Sequence, residues 1–166
     1  NDKKFRNASY RPFYKQWLNF DPILNKRVFQ LPKFFPSPQS ENLIISTSGI
    51  GTSGDFQVLM TDATPDLNKL APTVCYPLWT YQKDTIQENS LFDSSETEDR
   101  FLNLNEAFIT VCKEKYGKNF NLPSDIFYYV YGILHNSDYR SKFQNDLNKE
   151  LTRIPLPDDA RDFIQY

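Results

Sequence analysis

Apolar and polar positions alternate from Tyr10 to Phe20, with Phe13, Lys15, Trp17 and Asn19 on one side and Tyr14, Gln16, Leu18 and Phe20 on the other. This period of two predicts a strand, which Pro12 restricts to a strand start or a sheet edge. Asp21-Pro22 then reads as an N-cap followed by proline at the first helical position, so a short helix or turn is predicted over 23–31, ended by Pro32. Phe34-Phe35-Pro36-Ser37-Pro38 reads as a loop anchored by aromatics. Leu43 to Thr47 and Phe56 to Thr61 are apolar, β-branched runs separated by a glycine- and serine-rich loop, the pattern of an antiparallel hairpin with a long tip. Thr73 to Tyr81 predicts a further strand, with Pro77 marking an edge or a bulge.

The period then changes. Gln82 to Asp99 carries six acidic residues and no apolar repeat, as a surface connector does. Leu104, Phe108, Val111 and Cys112 fall at helical spacing, predicting a helix over 105–116 stopped by Gly117. Ser124 is placed to cap a second helix, in which Phe127, Val130, Tyr131 and Leu134 form one buried stripe. Asn136 is expected to end it in a left-handed conformation, and Ser137 with Asp138 to cap a third helix carrying Tyr139, Phe143, Leu147 and Leu151 every four residues. Pro155 and Pro157 end that pair, and 158–166 predicts a last helix. The fold class is therefore α+β: a small antiparallel sheet with long loops, then an antiparallel bundle of about three helices. Residues 1–166 read as one domain, with a β-rich half over 1–81, a polar connector over 82–102 and a helical half over 103–166.

The 166 residues are 39% hydrophobic and 16% aromatic, too apolar for intrinsic disorder. No apolar run reaches the roughly 18 residues of a spanning helix, and the first residues lack the apolar core of a signal peptide. A cytoplasmic location without membrane contact is the expectation, and a start at Asn1 rather than methionine fits a fragment of a longer protein. Cys75 and Cys112 have no CxxC spacing and no histidine cluster, so they read as buried reduced thiols rather than zinc ligands. Net charge is −2, but its distribution is uneven. Residues 1–36 carry eight basic side chains against Asp2 and Asp21, whereas the remainder carries eleven against nineteen acidic ones. Such asymmetry suits a phosphate-facing N-terminal surface, unless folding disperses the charges.

Gly49-Ile50-Gly51-Thr52-Ser53-Gly54 matches GxGxxG after a predicted strand, but Asp55 to Met60 reads as strand where a dinucleotide loop must open a helix. The segment is better read as a flexible hairpin tip with Thr52 and Ser53 exposed to a ligand. Pro65-Asp66-Leu67-Asn68-Lys69 faintly resembles the start of a metal-dependent nuclease motif, yet no acidic residue and lysine follow at the spacing such a site needs. His135 is the only histidine, at a helix C-terminus, where carbonyl and dipole contacts explain it without catalysis. Tyr128 and Tyr129 flank the buried stripe and read as packing residues rather than a stacking platform for bases. Arg140 and Arg153 have two readings, braces to carboxylates such as Asp125 or Asp138, or contacts to a DNA backbone. Arg11, Lys15, Lys26, Arg27 and Lys33 are the candidates for phosphate contact, because such contacts need reach and charge more than spacing. Arg11 also has a packing explanation, a guanidinium pinned under aromatic rings. No catalytic residue and no metal ligand is assigned.

Tyr10-Arg11-Pro12-Phe13, the run Ser124 to Arg140, and Arg153-Ile154-Pro155-Leu156-Pro157 together resemble the C-terminal part of type ISP restriction-modification enzymes. These are single polypeptides that join nuclease, helicase, DNA-adenine methyltransferase and target-recognition parts. The resemblance implies a target-recognition module that binds double-stranded DNA and docks on upstream methyltransferase and helicase domains. It implies no cofactor in this chain, with S-adenosylmethionine, ATP and Mg used by the parent. The sequence departs from the pattern after Phe13, where Tyr14-Lys15 replaces an aspartate, and no methyltransferase tetrad, P-loop or helicase box occurs in it. A structural spacer that docks neighbouring domains without reading DNA is the alternative, and an independent small hydrolase is a third reading.

Overall fold

The computed structural model describes residues 4–70, 72–83, 98–117 and 123–163. In chain order the elements are β1 (Phe5–Arg11), β2 (Tyr14–Asn19), the one-turn helix α1 (Leu31–Phe34), β3 (Ile44–Ser48), β4 (Val58–Thr61), β5 (Thr64–Pro65), β6 (Thr73–Pro77), β7 (Trp79–Lys83), β8 (Glu98–Leu102), α2 (Glu106–Tyr116), α3 (Pro123–His135), α4 (Ser137–Lys142) and a closing 3-10 turn, Ala160–Phe163. The class is α+β. The strands form sheets of order β2-β1-β5, β4-β3-β6 and β7-β8 among the described residues.

The first expected strand is instead a hairpin. Arg11 pairs with Tyr14 across Pro12 and Phe13, and Tyr10 bulges between the pairs Ser9–Lys15 and Arg11–Tyr14. Proline presets the φ of the first turn residue, and Phe13 takes φ 63°, the left-handed value that the next position of a type II turn demands. The segment after Asp21 also differs from expectation. The Asp21 carboxylate accepts from the Ile23 N–H at 2.9 Å and its carbonyl closes a turn on Leu24 and Asn25, after which the chain runs on without a helix. Pro32 opens α1 rather than ending a helix, because a missing N–H is harmless in a first turn.

The β3–β4 hairpin forms as predicted, and β6 adds to the other side of β3 as an edge strand ending at Pro77. The expected run to Tyr81 breaks at Leu78, whose N–H turns to the Leu43 carbonyl, and continues as β7 in a different sheet. Part of the predicted connector is strand: Gln82 faces Asp99 across the β7–β8 pair, while residues 84–97 lie outside the described part.

α2 begins and ends where predicted, with Asn105 accepting from the Ala107 and Phe108 amides and Gly117 at φ 55° beyond the last turn. α3 starts at Pro123, so Ser124 sits inside the first turn rather than capping it. Asn136 is extended (φ −65°, ψ 127°), not left-handed, and its side chain accepts from the Asp138 and Tyr139 amides. It therefore takes the cap of α4 assigned to Ser137 and Asp138, because an extended Ncap backbone lets a short amide reach the second and third N–H groups. The stripe of the third helix holds through Tyr139 and Leu147, both buried, but Leu151 is 66% exposed because α4 ends at Lys142 and turns carry the chain on. The closing helix is reduced to the 3-10 turn, with residues 164–166 outside the described part.

α3 packs against α4, the 3-10 turn and β4, so the helices share one core with the strands. Ile45, Phe56, Val58 and Leu78 from the sheet side meet Cys112, Ile133 and Leu134 from the helices in it. The Arg153 to Pro157 strap crosses the helices, and its carbonyls at residues 153, 155 and 157 accept from the hydroxyls of Tyr139 (2.9 Å), Tyr129 (2.8 Å) and Tyr116 (2.5 Å).

Two consequences are measurable by urea denaturation. Asn136→Ala leaves two amides uncapped and lowers stability by about 1 kcal/mol. Phe13→Gly removes a side chain that is 94% exposed and held at positive φ, and raises stability by about 0.5–1 kcal/mol.

Candidate nucleic-acid interface

The β1–β2 hairpin separates two recesses, because successive strand residues point to opposite faces. Tyr10 and Gln16 line one of them, a cleft of about 290 Å3 completed by Asn25, Lys26, Arg27 and Asp66. Ser9, Phe13 and Lys15 line the other, a groove of about 570 Å3 completed by Thr61, Asp62 and Lys69. Lys26 and Arg27 are exposed and form no ion pair among the described residues. Lys15 is half-exposed, its ammonium 2.5 Å from the Asp62 carboxylate, and that hydrogen bond holds Asp62 below the usual carboxylate range. Arg11 lays its guanidinium 4.9 Å from the centroid of the Tyr10 ring while remaining exposed, which satisfies its packing explanation and leaves its edge outward. Lys33 stands exposed in the last turn of α1, apart from both recesses. The predicted basic residues are thus brought together in part: Lys26 with Arg27 in the cleft, and Lys15 in the groove.

The glycine-rich tip is held rather than free. The Gly51 N–H donates to the Asn148 carbonyl at 2.7 Å, and the Asn148 side-chain amide donates to the Gly54 carbonyl at 2.9 Å. Thr52 is half-buried, with its hydroxyl oxygen enclosed and without a hydrogen-bond partner, so the expectation that it is exposed fails while Ser53 meets it. The clamp explains this, since it draws the tip against the turns that follow α4. Gly51 at φ 80° makes the bend, and the chain leads into β4, so the loop opens no helix on which a pyrophosphate or S-adenosylmethionine could sit.

Arg140 donates to the Phe56 carbonyl at 2.5 Å, with its guanidinium 5.9 Å from the Phe56 ring, rather than bracing Asp125 or Asp138. Arg153 lies within 3.5 Å of Glu150 and is otherwise exposed. The strand lead-in offered Arg140 a carbonyl and a ring face together, which a carboxylate on its own helix does not. His135 packs its ring 4.5 Å from that of Tyr131, and partial desolvation with the nearby Arg140 pushes its pKa below the ordinary value. Tyr129 is buried, while Tyr128 is half-exposed and edge-on to Phe127 at 5.9 Å. Asp66 accepts from the Asn68 N–H at 2.8 Å in a local turn, and no group of acidic, histidine or cysteine side chains able to hold a metal occurs among the described residues. Cys112 is buried as expected whereas Cys75 is only half-buried; both are free thiols, and burial pushes the pKa of each above its ordinary value.

Sequence reasoning missed Lys69 and Asn148. Nothing local marks either, because each gains its place from a partner distant in the chain: Lys69 beside the hairpin turn, Asn148 beneath the tip.

Comparison with known proteins gives the setting of these recesses. A family model described as the type ISP C-terminal specificity domain matches residues 1–166. A nuclease-deletion mutant of the type ISP restriction-modification enzyme LlaGI, in complex with a DNA substrate mimic, superposes with TM-score 0.73 at 30% identity, covering 98% of this chain and 13% of that one. A DrdV–DNA complex superposes with TM-score 0.78 at 31% identity, covering 93% of this chain and 14% of that one. The ATP-dependent type ISP restriction-modification enzyme LlaBIII, bound to DNA, gives TM-score 0.78 at 26% identity, covering 99% of this chain and 10% of that one. No curated protein matches the chain. The likeness spans at least 93% of this chain but at most 14% of each of these proteins. The chain belongs to the type ISP C-terminal specificity domain family.

Proposed function

We propose that this chain is the DNA target-recognition module of a type ISP restriction-modification enzyme. It places double-stranded DNA for an adenine-specific methyltransferase and a nuclease carried elsewhere on the same polypeptide, alongside a helicase. The observation that carries this reading is the whole-chain family match, joined by three similar structures, two bound to DNA and one to a DNA substrate mimic. In such an enzyme S-adenosylmethionine, ATP and Mg serve the other domains, and the protein works in the cytoplasm where its DNA lies. No helix among the described residues is long and apolar enough to cross a membrane.

The division of labour follows from chemistry. Phosphate contacts fix register and orientation without reading sequence, and they need exposed cations with reach. Lys26 and Arg27 meet that need best, being exposed and without ion-pair partners among the described residues, with Arg11, Lys15 and Lys33 as further contacts around the hairpin. Base edges are read by short polar groups held in place, and the clamped tip is suited to this through the exposed Ser53, because its backbone is already ordered before DNA arrives, whereas Thr52 with its enclosed hydroxyl serves the tip's own packing.

Duplex binding measured at two salt concentrations tests the phosphate part. Lys26→Ala with Arg27→Ala is expected to lower the slope of log affinity against log salt by about 1.8, at about 0.9 per phosphate lost. Binding that does not respond to salt would sink it. Asn148→Ala tests the tip: selection from a randomised duplex pool should lose sequence preference while the salt slope stays as in the parent. Retained preference with a loosened tip would move base reading away from the tip, and a parent chain that selects no sequence at all would favour a spacer that docks domains without reading DNA.

A further inference from the structure

The groove beside Phe13 contains a charge arrangement that its own residues do not balance. Lys69 is only 6% exposed, yet it forms no ion pair among the described residues. Among the described residues Asp62 is the one carboxylate lining the groove, and Lys15 already engages it at 2.5 Å. Two ammonium groups therefore share one carboxylate, in a groove whose rim at Lys15 and Asp62 is open to solvent while the stem of Lys69 is buried. An ammonium partly withdrawn from water without a counter-ion is disfavoured, and a loop lysine ordinarily escapes this by extending its stem into solvent. Lys69 instead lines the groove. Burial holds its pKa below the ordinary value, and the neighbouring Lys15 acts in the same direction against the pull of Cys75 and Asp62.

We propose that this groove, between the β1–β2 turn and the β4–β5 corner, is an anion site that takes one phosphodiester group of a nucleic-acid backbone, with Lys69 at its floor and Lys15 at its rim. The charge count selects the ligand class, since a phosphodiester carries one negative charge and two cations facing one carboxylate lack one. Thr61 supplies a hydroxyl: its oxygen accepts from the Ala63 N–H at 3.3 Å, which leaves its proton to donate. Phe13 forms the apolar wall. Its 94% exposure and positive φ give the folded chain nothing in packing, but they set a ring where the sugar next to a bound phosphate would lie. The nucleic-acid source of the ligand rests on the recognition role proposed above, whereas the site itself rests on Lys69, Lys15, Asp62 and the groove.

Dimethyl phosphate, a monoanionic diester, is the direct probe. Titrated into the chain, it is expected to shift the 13Cε resonance of Lys69 saturably, and Lys69→Gln should abolish the binding seen at Lys15. In duplex binding, Lys69→Gln should lower the salt slope by about 0.9. Its thermal midpoint should equal or exceed that of the parent, because an unbalanced buried charge has gone, and Lys69→Met should repeat the result if Gln perturbs packing. A lysine with a purely structural role would instead lower the midpoint and leave the salt slope unchanged, which overturns the proposal, as does a Lys69 resonance unmoved by the diester. If the diester binds at Lys69 but the parent chain binds no duplex, the site stands and the recognition reading falls. If duplex binding is normal and indifferent to Lys69, the reverse holds.

Discussion

Three tyrosine hydroxyls on one extended strap hold the helical half in register. Tyr116 of α2, Tyr129 of α3 and Tyr139 of α4 each donate to a carbonyl of the Arg153 to Pro157 segment, at every second residue. The spacing is that of an extended chain, in which alternate carbonyls face the same way. Pro155 and Pro157 have no N–H, so the strap cannot close into a helix or take a full place in a sheet, and its carbonyls need donors from elsewhere. A buried tyrosine needs an acceptor for its hydroxyl in turn. Each bond contributes about 1 kcal/mol net, but breaking one leaves two groups unsatisfied, which makes the set stricter in geometry than in energy. Lys115 adds its ammonium to the Pro157 carbonyl at 2.9 Å, fixing the end of the strap against α2.

Polar bonds to backbone likewise fix the hairpin half, where apolar burial is thin. Asn42 is buried and spends its side chain on main-chain groups: it donates to the Phe34 and Trp79 carbonyls at 3.0 and 2.7 Å and accepts from the Trp79 N–H at 3.0 Å. Arg6 is also buried and donates to the Phe35 and Pro36 carbonyls at 3.1 and 2.5 Å. These two side chains join β1, the loop after α1 and β7. Because the hairpin is located from one face by such bonds, its other residues need not pack inward. Phe13, Tyr14 and Trp17 are accordingly exposed, at 94%, 58% and 75%, an apolar surface large enough to mark contact with other matter.

What the sequence revealed divides along physical lines. The β3–β4 hairpin and α2 were legible because each is specified locally, by β-branched runs in one case and by Leu104, Phe108, Cys112 and a stopping glycine in the other. The helical stripe of α3 was legible in part, since Phe127 and Leu134 are buried and Val130 and Tyr131 partly so, while Ile126, Tyr129 and Ile133 complete the buried face. The family resemblance was carried partly by structural side chains, Tyr129 and Tyr139 with the proline strap, and partly by the exposed turn at Arg11 and Phe13. Tyr10 to Phe20 was misread as one strand because alternation continues across a two-residue turn, and only the backbone state of Phe13 shows the reversal. Asn136 was misread because a helix end and a helix start one residue apart present the same amide to a sequence pattern. The site was half legible: cations near the N-terminus are visible as charges, but the recess each one faces depends on pleat and register. Lys69 looked like any loop lysine, and its burial follows only from the approach of the hairpin turn.

The two recesses differ in how readily they release their cations to a phosphate. The Lys15–Asp62 pair is half-exposed, and such pairs contribute only about 0–1 kcal/mol, so an incoming phosphate can draw Lys15 away at little cost. Lys69 forms no ion pair among the described residues that it would have to break. An anion arriving beside it gains more than at a solvated lysine, since screening weakens as water is displaced. Lys26 and Arg27, exposed at the mouth of the other cleft, remain fully subject to salt. One side of the hairpin therefore suits long-range attraction and the other a short-range hold, and the turn residue Phe13 stands between the solvent and the second.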